Sequence, residues 1–170
     1  MEIYPLMKNN LLILFILIAV FLASHSKISA EKISSHLYVT GTVMEIDRCA
    51  SAWLIKRYVD EDAEFNFLSD QRLMVTDAIS FDTPYSELRR THTHSTFESI
   101  QNKYLLNDDK IKFLAQLIHE LEINFWNKQV EKKAVHFQFE LEKILQETAD
   151  PHKALQQCFK YLDSLEFHNA

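Results

Sequence analysis

Glycine and proline are almost missing from this chain, which has one glycine and three prolines among 170 residues. Glycine is the residue that most readily takes the positive φ angles of tight turns, so turns here must be made by Asn, Asp or Ser. The shortage also excludes a glycine-rich phosphate loop. We find no nucleophile with an adjacent base and no nucleotide-binding pattern, and a mostly helical protein is the natural prediction.

Positive charge and cysteine are also scarce. The chain has 18 Lys and Arg against 24 Asp and Glu, a net charge of −6, and such a surface repels the phosphate backbone of nucleic acids. We therefore expect no nucleic-acid partner. Cys49 and Cys158 could pair in an oxidising compartment, or remain two separate buried thiols, and the sequence leaves both possibilities open.

One long apolar run, Leu11–Ala23, follows Lys8 near the start of the chain. It is short for a membrane span but typical of a secretory signal, and Ile28-Ser29-Ala30 provides a cleavage site after Ala30. We predict that residues 1–30 are a signal peptide that is removed. The protein would then be periplasmic or secreted, and the alternative is an uncleaved signal that anchors it in the inner membrane.

The remaining residues, 31–170, are predicted to form a single α+β domain whose small sheet lies in the first half. Stretches rich in β-branched and aromatic residues predict short strands within Ser34–Ile46, at Glu64–Leu68 and at Ala78–Phe81. Between the first two, helical spacing predicts a short helix that starts with Asp47 as N-cap and ends near Asp60.

The second half is predicted to be helical. A short helix, Phe97–Tyr104, comes first, and three amphipathic helices follow, two of them starting at the caps Asn107 and Asp150. Their apolar stripes are Ile111, Leu114, Ile118, Leu121 and Phe125; Val130, Ala134, Phe137, Leu141 and Ile144; and Ala154, Leu155, Cys158, Phe159 and Leu162. Each helix has one apolar side, so we expect the three to pack together and against the sheet.

The segment Arg89–Ile100, RRTHTHSTFESI, contains the densest group of polar residues. Ser95 and Glu98 fit a capping box, which by itself accounts for both. His92 and His94 would point the same way in an extended chain and could share a divalent ion. Capping and metal binding are both open on the sequence alone.

Two further groups of residues have the same double interpretation. His119 and Glu122 lie on one face of a predicted helix and could supply two metal ligands, or could simply flank its apolar stripe in solvent. Asp47 and Arg48 begin another helix, where free amides and guanidinium groups such as Arg57 could hold an oxyanion. The alternative is an N-cap and ordinary ion pairs.

The stretch Met44–Phe67, MEIDRCASAWLIKRYVDEDAEFNF, resembles the signature of the chromate-resistance protein ChrB C-terminal-domain family, also called chromate resistance exported proteins. Ala78–Asp82, Ser95–Glu98 and Leu117–His119 are similar to that family's A-I-P-F-D, C-T-F-E and I-V-H segments. The resemblance implies a role in chromate resistance and metal-oxyanion stress, as a sensor or accessory protein with a functional link to a chromate efflux transporter.

The resemblance also bears on the site. Ser95 stands where the family often has cysteine, so a thiol-based role at that position is disfavoured, while the family's H-D-x-D appears as His119-Glu120-Leu121-Glu122. We predict a divalent ion, Zn or Mn, with Arg48 and Arg57 supplying positive charge around it or around an oxyanion. The predicted metal ligands are Asp47, His92, His94, Glu98, His119 and Glu122.

Three functional hypotheses follow from the sequence. The first is an exported protein that binds a divalent metal ion or an oxyanion in chromate-type stress. The second is a metal-dependent enzyme, hydrolytic or redox, with a metal-bound water or an exchangeable coordination position. The third is an interaction domain in which the polar residues are only caps and ion pairs.

Overall fold

The computed structural model describes residues 35–69, 77–124 and 132–166. They all belong to one compact unit, Ser35–Ala170. The predicted signal peptide, residues 1–30, lies outside the described residues. In the part of the chain that is described, every helix is too short or too polar to cross a membrane.

The sheet has three parallel strands, β1 (Leu37–Gly41), β2 (Glu64–Leu68) and β3 (Ile79–Ser80), which confirms the three predicted strand regions. Their order is β2-β1-β3, with Leu37 opposite Glu64 and Tyr38 opposite Ile79. Because β1 is central, the chain leaves it toward one side for β2 and later comes back to the other side for β3. The carboxyl ends of β1 and β3 therefore form a topological switch point.

Helix α1 (Ile46–Leu54) continues into one π-helical turn, Ile55–Val59, so the predicted helix does end near Asp60. All nine residues of α1 are buried, and it packs against each of the other four described helices. The prediction that Asp47 is the N-cap of this helix is wrong, because the N-cap is Glu45. Asp47 lies inside the first turn, and its carboxylate accepts hydrogen bonds from Thr96 and Phe97 of the next helix.

The other four helices are α2 (Thr96–Lys103), α3 (Asp109–Glu122), α4 (Lys132–Glu147) and α5 (Pro151–Ser164). They confirm the short helix and the three amphipathic helices that the periodicity predicts. The predicted stripe residues Phe125 and Val130 lie outside the described residues.

The helix starts were predicted with mixed success. Ser95 caps α2 in the predicted capping box, and Asp150 caps α5 with proline in its first turn. Helix α3 is capped by Asp108, whose side chain accepts hydrogen bonds from two backbone amides, and not by Asn107 as predicted. Asparagine and aspartate are both strong N-cap residues, and the prediction was wrong by one position.

One apolar core joins the sheet to the helices, as an α+β arrangement requires. Phe65 of β2 contacts Phe159 of α5, with ring centroids 6.1 Å apart. Trp53 is buried, and its indole N–H donates to Asp163 at 2.7 Å. The largest fully buried side chains include Trp53, Tyr38, Phe81, Phe97, Phe137, Ile111, Leu114 and Leu141.

Candidate functional site

Asp47 binds the start of α2. Its carboxylate accepts hydrogen bonds from the backbone amides of Thr96 at 2.6 Å and Phe97 at 2.9 Å, and from the Ser51 hydroxyl at 3.2 Å. The side chain is buried, and burial together with the charge of Asp82 raises its pKa to about 7 against the lowering effect of the two amides. Both carboxylate oxygens are thus used to join α1 to α2.

Glu98 completes the capping box and reaches a second helix. Its carboxylate accepts from the Ser95 amide at 2.8 Å and the Ser95 hydroxyl at 3.0 Å, while its own amide donates to the Ser95 oxygen. His119 Nδ1 of α3 lies 2.9 Å from Glu98 Oε1. The structure therefore brings together His119 and Glu98, beside a cavity of about 580 Å³ that Lys133 also lines.

Arg48 is fixed by Asp82, which follows β3. The Arg48 Nε lies 2.8 Å from Asp82 Oδ2 as an ion pair, and an Arg48 terminal amino group donates to the Asp82 carbonyl at 3.0 Å. Arg48 also donates to the Val43 carbonyl, and Thr96 donates through its hydroxyl to Asp82 Oδ1 at 2.7 Å. At Gly41, an added Cβ would lie 3.4 Å from the Arg48 guanidinium, which is an ordinary contact distance.

Beyond Arg48 opens a cavity of about 580 Å³, which we call the arginine cavity. It lies past the carboxyl ends of β1 and β3, the place where parallel sheets usually bind ligands. Two carboxylates also line it, but arginine outnumbers them. Its polar lining is Arg48, Arg89, Arg90, His92, Thr83, Thr91, Glu45 and Asp82.

Thr83 is the most informative residue of this lining. It is only 5% exposed, and its buried hydroxyl has no hydrogen-bond partner. A buried hydroxyl without a partner costs about 1–3 kcal/mol, a cost that a hydrogen bond to a ligand would relieve. The Thr40 hydroxyl also lacks a partner, but Thr40 does not line the cavity. The only sequence signal of Thr83 is its place three residues after the end of β3, and it was not among the predicted site residues.

The predicted histidines and Glu122 are found on or near this cavity. His92 is exposed and lines it, whereas His94 is exposed and its Nδ1 lies 2.9 Å from the Thr93 hydroxyl. Glu122 pairs with Arg90 at 2.9 Å. Partial burial raises the pKa of Glu122, and the charge of Arg90 opposes that shift.

Arg57 has a structural partner elsewhere. Its guanidinium binds both oxygens of Asp163 in α5, at 3.1 and 2.7 Å, and lies over the Phe159 ring. Among the described residues that line the arginine cavity, Arg48 is present and Arg57 is not. The two arginines predicted to play one role are thus in different surroundings.

The predicted metal ligands, all of which are described, make one direct contact with one another, Glu98 to His119, and the set stays a prediction. A different group, His36, Asp60 and Asp62, offers three ligand atoms within 4.8 Å of one another in the described part of the chain. His36 Nδ1 is 2.9 Å from Asp60 Oδ1. Sequence analysis missed this group, which forms where β1 begins and the π-helical turn ends.

The geometry can be set beside known proteins. Residues 38–168 match the family model described as ChrB, C-terminal domain, a range that contains the five described helices and the arginine cavity. Protein ChrB from Cupriavidus metallidurans is 35% identical over 79 residues, which are 46% of this chain and 24% of that protein. The match thus spans about a quarter of this curated relative. No solved structure matches the chain.

Proposed function

The chain belongs to the ChrB C-terminal-domain family, which relates it to chromate resistance, and from that premise we propose that it binds an oxyanion in the arginine cavity. Chromate is the first candidate ligand. The protein would act as an accessory or sensor protein in chromate stress rather than as the transporter itself, with a functional link to a chromate efflux transporter.

The chemistry of the lining suits such a ligand. Chromate is a tetrahedral dianion whose oxygens only accept hydrogen bonds. Guanidinium groups bind tetrahedral oxyanions through paired N–H donors, and Arg48, Arg89 and Arg90 offer three of them. The ion pair with Asp82 and the hydrogen bond from Arg89 to the Ser86 carbonyl hold two of these side chains in place before any ligand arrives.

The unpartnered Thr83 hydroxyl is the observation that carries this proposal. A hydroxyl can donate to an oxyanion oxygen, which would relieve the cost of leaving that group unsatisfied. Its place at the switch point of a parallel sheet supports the same assignment. The whole chain has a net charge of −6, but arginines outnumber carboxylates in the wall of this cavity. This local excess of positive charge also favours an anion.

An anion in this cavity competes with Glu122 for Arg90. The Glu122 carboxylate holds the Arg90 side chain at 2.9 Å, and Arg90 also donates to the Glu122 carbonyl. When a dianion binds, Arg90 would therefore exchange its carboxylate partner for an anion of higher charge. We expect the affinity for the dianion to fall as salt screens the arginines.

The proposal is tested by equilibrium dialysis of the full chain with chromate, using sulfate as a competing tetrahedral dianion. The test variant is Arg89→Gln with Arg90→Gln. The matched control is Arg57→Gln, which removes a guanidinium that binds Asp163 outside the cavity. We expect the double variant to bind at least about tenfold more weakly, since charged hydrogen bonds contribute about 1.5–3 kcal/mol each.

Saturable binding that the Arg57→Gln control retains and the double variant loses would support the arginine cavity. Equal loss in the control and in the double variant would instead indicate a general charge effect. Absence of saturable binding of either dianion to the unaltered chain would reject the oxyanion proposal.

A divalent metal ion is the second candidate, and the contact between His119 and Glu98 favours it. A carboxylate that orients an imidazole through one ring nitrogen is the usual arrangement around a metal-binding histidine. The test measures thermal unfolding with added Zn²⁺ or Mn²⁺ for the full chain and for His119→Ala. His36→Ala is the matched control, because it addresses the separate group with Asp60 and Asp62. A thermal shift that only His119→Ala abolishes would support His119 as a metal ligand.

Export is part of the same proposal. The apolar run Leu11–Ala23 and the small residues before Glu31 support a cleaved signal. The mass of the mature protein, measured after expression in a bacterium with two membranes, decides the point. A periplasmic chain that begins at Glu31 is expected, and a cytosolic chain that retains its first thirty residues would reject export.

A further inference from the structure

Two cysteines that are far apart in the sequence are in contact in the core. Cys49 of α1 and Cys158 of α5 are separated by 109 positions, yet their sulfur atoms are 2.9 Å apart. Both residues are completely buried, and both are free thiols. The sequence left open whether the two cysteines pair or stay separate, and the structure places them in contact as thiols.

The surroundings lower the reactivity of the two thiols while they are packed in the core. The neighbouring Cys158 thiol and burial both raise the pKa of the Cys49 thiol well above its ordinary value. The thiolate is the form that attacks a disulfide, so the packed pair is a poor nucleophile and is closed to solvent. Reaction with an oxidant must therefore occur while the chain folds, or during a transient opening of α5 from α1.

We propose that Cys49 and Cys158 are the two halves of a disulfide that joins α1 to α5 when the chain folds in the presence of a small disulfide oxidant such as oxidised glutathione. The Cys49 or Cys158 thiolate attacks the oxidant, breaks its S–S bond and releases one glutathione thiolate. The second cysteine then attacks the mixed disulfide and releases the other. The protein loses two thiol protons and two electrons, and the oxidant is reduced to two thiols.

This inference goes beyond the proposed function and does not rest on it. The disulfide would nevertheless involve helix α1, which also contributes to the arginine cavity. Cys49 directly follows Arg48, which lines that cavity. A disulfide to α5 would hold α1 in place in the compartment where the signal peptide predicts that the protein works. An oxidising compartment is also where such a bond persists.

The experiment refolds the full chain from denaturant, once with reduced and once with oxidised glutathione. Free thiols are then alkylated in denaturant and the intact mass is recorded. We expect the oxidised sample to take up no alkylating agent and to be lighter than the reduced chain by two hydrogens. Its Tm should rise by about 5–15 °C, because the bond closes a loop of about a hundred residues.

Cys49→Ala and Cys158→Ala are matched controls, and each should show the same Tm under both conditions. Because the main comparison uses the unaltered chain, it does not depend on how well these variants fold. Two alkylated thiols after oxidative refolding would overturn the proposal. So would glutathione attached to one cysteine as the final product, or a disulfide form with a Tm below that of the reduced form.

Discussion

Two polar regions of this protein share Asp82 and yet have opposite characters. In the cap of α2, formed by Asp47, Ser95 and Glu98, the carboxylate oxygens accept hydrogen bonds from donors within the protein. In the adjoining arginine cavity the Thr83 hydroxyl has no partner, and most of the charged side chains are exposed. The hydrogen bonds of the cap hold α1 and α2 together, whereas the Thr83 hydroxyl in the cavity wall has no partner within the protein.

The largest expected effect is at the cap. Asp47→Ala removes the acceptor of two buried amides at the start of α2, so we expect the free energy of unfolding to fall by about 3 kcal/mol at about pH 6. Denaturant unfolding measures this. Asp109→Ala is the control, since that carboxylate is exposed in the first turn of α3, and its removal should cost no more than about 0.5 kcal/mol. Equal losses in both variants would show that Asp47 does not join α1 to α2.

The pH dependence of stability gives the next largest effect. Burial raises the pKa of Asp47 from 3.8 to about 7, so between these values the folded chain holds a proton that the unfolded chain releases. The stabilisation from this group is complete below pH 3.8 and is lost as pH rises through about 7. We expect the chain to lose about 2 kcal/mol of this contribution between about pH 5 and about pH 8.

Asp47→Asn is the control for that titration, because the amide keeps the shape of the side chain and does not titrate. The free energy of unfolding is measured for both chains at each pH. The difference between the unaltered chain and the variant should shrink as pH rises. Parallel pH curves would mean that Asp47 is ionised in the folded chain throughout this range.

A matched pair of threonines tests the two regions directly. Thr96→Val removes a hydroxyl that donates to Asp82 at 2.7 Å, so the variant should lose about 1–2 kcal/mol of stability. Thr83→Val removes a hydroxyl without a partner, so stability should stay the same or rise slightly, while chromate affinity should fall severalfold. Denaturant unfolding and equilibrium dialysis measure the two quantities. A Thr83→Val variant that is destabilised as much as Thr96→Val would mean that the hydroxyl does have a partner.

The sequence predicts the parts of this molecule that depend on neighbouring residues. The capping box of Ser95 and Glu98 lies within four residues, and each helical stripe repeats within its own helix, so both follow from local patterns. The three strand regions follow from composition in the same way. Even the N-cap of α3, predicted at Asn107 and found at Asp108, was wrong by only one position.

The parts that sequence reasoning missed depend on distant pairs. Asp47 was interpreted as the cap of its own helix, but its partners Thr96 and Phe97 are about fifty positions away. The contact between Cys49 and Cys158 spans 109 positions, and the order β2-β1-β3 decides which loops meet at the arginine cavity. No local pattern shows which distant residue completes a hydrogen bond.

The smallest expected effect is at the contact between the cap and α3. His119 is partly exposed, and Glu98 keeps its hydrogen bonds from the Ser95 amide and hydroxyl without it. We therefore expect His119→Ala to cost less than about 1 kcal/mol in denaturant unfolding, and Ser95→Ala to cost more, because it removes a cap. If His119→Ala lowers the free energy of unfolding as much as Ser95→Ala does, this histidine is a structural part of the cap. The cap would then extend from α1 through α2 to α3 as a single hydrogen-bonded unit.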